Sequence, residues 1–122
     1  MSDITYSMSL KVDKGNLVNQ IQVSQVTASM AKAGYSSLVY DLTTNATSIS
    51  TANLTTVGLA FLRNLSTSSA STAQVGIEAG GSFFGFTTLR GSEPAIVRLS
   101  AGTEYQAIGV AGTRLRVDIA EG

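Results

Sequence analysis

The sequence predicts an all-β protein: a single-domain antiparallel β-sandwich or jelly roll of about eight to ten short strands. Three observations predict it. Apolar and polar residues alternate with a period of two over most of the chain, and helical spacing is confined to one short stretch. Turn residues, chiefly glycine, asparagine, aspartate and serine, interrupt the alternation roughly every 8–12 residues. The 122 residues suffice to bury a core without a metal or a disulfide, and no linker or fixed-period repeat divides them. The expected domain covers 1–122, with 1–12 as an extended N-terminal strand or arm.

Tyr6, Met8, Leu10 and Val12 alternate with Ser7, Ser9 and Lys11. That is a half-buried strand, ended by the turn residues Asp13–Asn16. Ile21 and Val23 continue the pattern in a second strand. Val26 comes three residues after Val23, so the phase slips, and a bulge accounts for the slip. Thr27–Gly34, "TASMAKAG", is the best candidate for a turn or two of helix. Leu38, Tyr40 and Leu42 mark a third strand, and Thr47–Ser50 a short edge strand. Val57–Ser66 is the most apolar run, with Val57, Leu59 and Phe61 pointing one way and Ala60 and Leu62 the other. A run apolar on both faces belongs to a central strand or to one covered by a partner. Ser66–Thr72 reads as an exposed loop. Further strands are expected at Gln74–Glu78, Ser82–Leu89, Ala95–Leu99, Tyr105–Val110 and Arg114–Ile119. In the last, Leu115, Val117 and Ile119 point inward, and Arg114, Arg116 and Asp118 outward.

The stretch Val75–Ser100, "VGIEAGGSFFGFTTLRGSEPAIVRLS", is rich in glycine. A phosphate-binding loop places its glycines between a strand and a helix, so that backbone N–H groups face the anion. Here no phosphate-loop spacing occurs and the following residues are strand-like. Gly80–Gly81 therefore reads as a hairpin turn and Arg90–Pro94 as the next turn, with Pro94 opening the strand after it. The expected arrangement is a three-strand meander. Adjacent Phe83 and Phe84 must point to opposite faces, and Phe86 shares the face of Phe84. Phe83 is either covered by a loop at a sheet edge or part of an interface.

Composition narrows the chemistry. Cysteine and histidine are both absent. Disulfides, thiolate metal sites, cysteine nucleophiles and Ser-His-Asp triads are thereby excluded. No enzyme activity, cofactor or metal is expected. Lys plus Arg equals Asp plus Glu at 8 each, so no basic footprint for nucleic acid is present. Charged residues make up 13% of the chain, against about 25% in an average domain. So weakly charged a surface fits a protein partly covered by partners. No run of apolar residues is long enough to span a bilayer as a helix, and the first residues lack the pattern of a secretory signal.

The remaining polar residues carry bland expectations. The carboxylates Asp3, Asp13, Asp41, Glu78, Glu93, Glu104, Asp118 and Glu121 are scattered and read as solvated residues of turns and outward faces. Arg63, Arg90 and Arg98 lie beside apolar segments. Each either lies over its own sheet or forms an intersubunit ion pair with Glu78, Glu93 or Asp118. Asn45, Asn53 and Asn64 begin N-x-[ST] sequons, taken as accidental in so Ser/Thr-rich a chain.

Taken together, "GLAFLRNLS" (Gly58–Ser66), the Val75–Ser100 stretch and the closing "AGTRLRVDIAEG" resemble small β-sandwich proteins from the structural gene clusters of tailed bacteriophages. The resemblance covers about Gly34 to Glu121. One departure is Ser92, which stands between Gly91 and Glu93 in the turn. The resemblance implies a structural virion protein on the particle surface, made in the host cytoplasm. It implies a capsid cement (decoration) protein on major capsid subunits, or a small tail protein. A receptor- or carbohydrate-binding module of a tail or fibre is the alternative. The implied partners are the major capsid protein or another virion protein and further copies of the chain, with a homotrimer favoured. Nucleic acid and membrane are not among them. Contacts are expected at Met1–Val12 and Ser82–Leu89, with Tyr6, Met8, Arg63, Phe83, Phe84 and Arg90 as candidate interface residues.

Overall fold

The computed structural model describes residues 3–30, 34–52, 54, 56–68, 70–100 and 102–121. They form ten strands and no helix: β1 (Ile4–Lys14), β2 (Leu17–Ala28), β3 (Tyr35–Asp41), β4 (Thr47–Ser48), β5 (Leu59–Asn64), β6 (Ala73–Ala79), β7 (Ser82–Leu89), β8 (Pro94–Arg98), β9 (Tyr105–Gly109) and β10 (Arg114–Ala120). Every strand pair is antiparallel. The chain divides into two compact units, 1–31 and 32–122.

The first unit is a two-stranded ribbon of β1 and β2. Of the expected arm, 1–12, residues 4–12 belong to β1 and residues 1–2 lie outside the described residues; the ribbon continues to Ala28. Tyr6 faces Val26 but Met8 faces Val23, so β2 carries the extra residue that the slipped phase required. Gln25 sits there at φ 55°, and its N–H donates to Ser7 Oγ at 3.0 Å. Thr27 and Ala28, expected at the start of a helical turn, are the last residues of β2. Strand pairing captures them because Ile4 and Thr5 lie directly opposite. Residues 31–33 of that candidate lie outside the described residues.

The second unit is a jelly roll. Its strands pair in a nested series: β3 with β10, β4 with β9, β5 with β8 and β6 with β7. Alternate pairs go to alternate sheets, giving the orders β3-β10-β5-β8 and β4-β9-β6-β7. That is one long antiparallel hairpin wrapped into two sheets, the topology of an eight-stranded jelly roll. The core lies between the sheets. Ala60, Leu62, Leu115, Val117 and Ile119 come from the first sheet, and Ala73, Val75, Leu89, Tyr105 and Ala107 from the second. Burying a side chain such as Leu62 or Leu115 contributes about 1.5–3 kcal/mol. β5 lies between β10 and β8, and its apolar residues on both faces are mostly buried.

The Val75–Ser100 stretch departs from a meander. β6 and β7 form a hairpin through Gly80 and Gly81, at φ 60° and 82°, as a two-residue turn with both central residues left-handed requires. β8 then leaves that sheet and pairs with β5 in the other. Two features send it across. Ser92 takes φ 70°, and its N–H donates to the Asn64 carbonyl at 2.9 Å. The Asn64 N–H in turn donates to the Glu93 carbonyl at 3.1 Å. The turn after β7 is thus hydrogen-bonded to the end of β5 and delivers β8 to that strand's edge.

Candidate interaction surface

From Ile4 to Lys11 the ribbon is two-faced. Ile4, Tyr6, Met8 and Leu10 stand opposite Ala28, Val26, Val23 and Ile21 on one face. Thr5, Ser9 and Lys11 stand opposite Thr27, Gln22 and Gln20 on the other. Alternation with a period of two produces this segregation in both strands. The apolar face is open toward the turn: Leu10 is 59% exposed and Ile21 54%. An eleven-residue strand extends about 35 Å. A two-stranded ribbon is marginally stable in water by itself, and an exposed apolar face is the kind of surface on which interactions form.

The candidate interface residues are distributed across the molecule. Tyr6 is half-buried and Met8 exposed, both on the apolar face of the ribbon. Arg63 is exposed on β5, opposite Arg116 of β10 and Pro94 of β8. Arg90 is exposed at the end of β7, and its backbone N–H donates to Glu93 Oε1. Phe83 and Phe84 point to opposite faces: Phe84 stands opposite Ile77, which packs against the core, and Phe83 opposite Glu78. Phe84 and Phe86, on the core side, are exposed, whereas Phe83 is half-buried. β7 is an edge strand, so its core-side residues reach the rim of the sandwich. The Phe86 ring meets Tyr105 edge-on at 6.4 Å, while the Phe83 ring covers Gly85, which has no side chain to displace it.

Two carboxylates depart from the solvated reading. Asp118 and Glu121 are buried. Asp118 points outward from β10, but its neighbours enclose it. Tyr35 Oη donates to it at 2.9 Å, Ser37 Oγ at 2.6 Å and Arg116 at 3.0 Å. Burial pushes the Asp118 carboxyl up; those hydrogen bonds and the guanidinium charge outweigh it and hold the pKa below its ordinary value. Burial, then the bond to Asp118 and its charge, raise the Tyr35 phenol. Asp118 is therefore engaged within its own chain by Arg116. Arg63 lies on the neighbouring strand, facing Arg116 instead.

Asn64 is also missing from the expected residues of interest. It is fully buried, and its side chain bonds Ser71, Leu89 and Ser66. The sequence signal was its place at the end of the most apolar run, where a buried polar residue must find partners. Asn45 is exposed, and Asn53 lies outside the described residues.

A shallow depression elsewhere on the sandwich is lined by Thr44, Thr72, Gln74, Thr88, Ile108, Gly109 and Val110. It carries neither an aromatic platform nor a charged group. Among the described residues, no three acidic side chains gather as a metal site would require. The chain matches no protein-family model, and no curated protein matches it.

Proposed function

We propose that the protein is a structural component of a tailed-phage virion, a capsid cement protein that packs on major capsid subunits. One observation carries this reading: the exposed apolar face of the ribbon, from Met8 and Val23 out to Leu10 and Ile21. A jelly roll supplies a rigid body, and the ribbon supplies an adhesive arm. Covering each half-exposed aliphatic side chain stabilises the contact by about 1 kcal/mol, and a shell repeats that contact by symmetry. The low charge of the chain keeps the desolvation cost of such a contact small.

Immunogold labelling of intact virions with antibody to the chain tests the location. Gold on the head is expected; gold confined to the tail moves the protein there, and unlabelled virions overturn the reading. The arm is tested by deleting residues 1–8, which removes half of β1. Heads stripped of the protein should then fail to rebind it. Full occupancy by the truncated chain would exclude the arm as the contact.

A further inference from the structure

The two sheets of the jelly roll have four edge strands, and three of them are blunted. β4 is two residues long. β7 is interrupted by a register shift opposite Val75 and Gly76. β8 begins with Pro94 and ends with Arg98. Short length, bulges, proline and charge are the ordinary ways of closing a sheet edge to further pairing. β3 has none of them. Its seven residues, "YSSLVYD", contain no proline, no basic residue and no bulge, and its one charge is the terminal Asp41. It is also apolar on both faces, with Tyr35 61%, Leu38 43% and Val39 49% exposed.

The backbone of β3 is set for pairing. The Leu42 N–H bonds the Thr113 carbonyl and the Glu121 N–H bonds the Gly34 carbonyl, so even-numbered residues face β10. Alternation then turns the N–H and C=O groups of Tyr35, Ser37, Val39 and Asp41 away from the sheet. We infer that this edge pairs with β3 of a second copy of the chain, antiparallel about a two-fold axis at Leu38.

That register joins Ser37 to Val39 and Tyr35 to Asp41 in both directions and places Leu38 against Leu38. All seven residues are used, and every outward backbone group meets an outward group. No like charges oppose each other, because Asp41 meets the uncharged Tyr35, and the chain's zero net charge adds no repulsion between copies. The two four-stranded sheets become one continuous sheet. The buried area is on the order of 700 Å² over both copies, below the ~1,000 Å² of a lasting interface. The backbone bonds therefore carry the affinity, and the contact is reversible. It is isologous and closes at two copies, so a trimer would have to use another surface. The pairing is independent of the virion reading.

Sedimentation of the full chain from roughly 10 μM to 1 mM tests the pairing. A reversible monomer–dimer equilibrium is expected. Val39→Pro removes an outward N–H and no ladder bond to β10, and should weaken dimerisation at least tenfold with the sandwich intact. Val39→Lys retains the N–H and puts a charge on the edge; it should weaken dimerisation similarly and guards against misfolding of the proline variant. In the wild type, amide exchange at Ser37 and Val39 should slow as concentration rises, with Tyr40 protected throughout. A chain that stays monomeric overturns the pairing. So does a dimer that survives both variants, which would assign association to the ribbon, or exchange at Ser37 and Val39 that ignores concentration.

Discussion

Asn64 Nδ2 donates to the Leu89 carbonyl at 3.1 Å and so ties the end of β5 in one sheet to the end of β7 in the other. The same amide donates to the Ser71 carbonyl at 2.6 Å, and its oxygen accepts from the Ser66 N–H at 3.0 Å. Asn64→Ala keeps the burial and removes every one of these bonds. Each backbone group left unpaired costs about 1–3 kcal/mol, so a loss of roughly 3 kcal/mol is expected, a large share of a domain's stability. Urea unfolding should show a lower midpoint at an unchanged slope. A change under about 1 kcal/mol would mean that water replaces the amide without penalty.

Asp118 should make the sandwich sensitive to acid. Its folded-state pKa lies below the unfolded value of about 3.9. Its contribution is therefore complete above that value and fades as pH falls through the folded pKa. Asp118→Asn should lower stability at neutral pH by roughly 1–3 kcal/mol, because hydrogen bonds to a charged group are lost or weakened. It should also flatten the fall in stability below about pH 4. Denaturant midpoints measured for both proteins between neutral pH and acid check the prediction, and parallel curves would contradict it.

What the sequence disclosed was local. The Gly80–Gly81 turn, the slip between Val23 and Val26, the two-sided apolar run at Leu59–Leu62 and the alternation ending in Ile119 each involve neighbours in the chain, and each has its counterpart in the structure. What stayed hidden depended on distant partners. Nothing near Pro94 announces that β8 pairs with β5, because the bonds that send it there come from Asn64. Asp118 alternates like an outward residue and faces outward, yet Tyr35 and Ser37, far back in the chain, bury it. On the ribbon, the alternation put Tyr6, Met8 and Leu10 on one face, but only the register shows that Ile21 and Val23 of β2 share it.

Gly76 and Gly85 lie opposite each other in the β6–β7 hairpin and should respond differently to the same substitution. A Cβ on Gly76 would fall on the backbone carbonyl of Phe84, beside the register shift. The hairpin has to open to admit it, so Gly76→Ala should cost about 3 kcal/mol or more. A Cβ on Gly85 would stand 3.3 Å from the Phe83 ring, a side chain that can turn away. Gly85→Ala should cost about 1 kcal/mol. Thermal or urea unfolding of the pair gives the order, and equal losses would show that the strand yields at Gly76.

Removing residues 1–31 should leave the sandwich standing. The buried core begins at Leu42, and no ribbon residue belongs to it. The truncated chain should unfold at a free energy within about 0.5 kcal/mol of the full chain. Limited trypsin digestion of the free full-length chain gives a second readout. Lys11 and Lys14 lie in β1 just before the turn of a two-stranded ribbon that opens at little cost, whereas Arg63 and Arg116 lie in interior strands of a packed sheet. Cleavage at the two lysines should precede cleavage at Arg63 and Arg116. If the truncated chain fails to fold, or if the ribbon resists trypsin as long as β5 does, the two units share their stability.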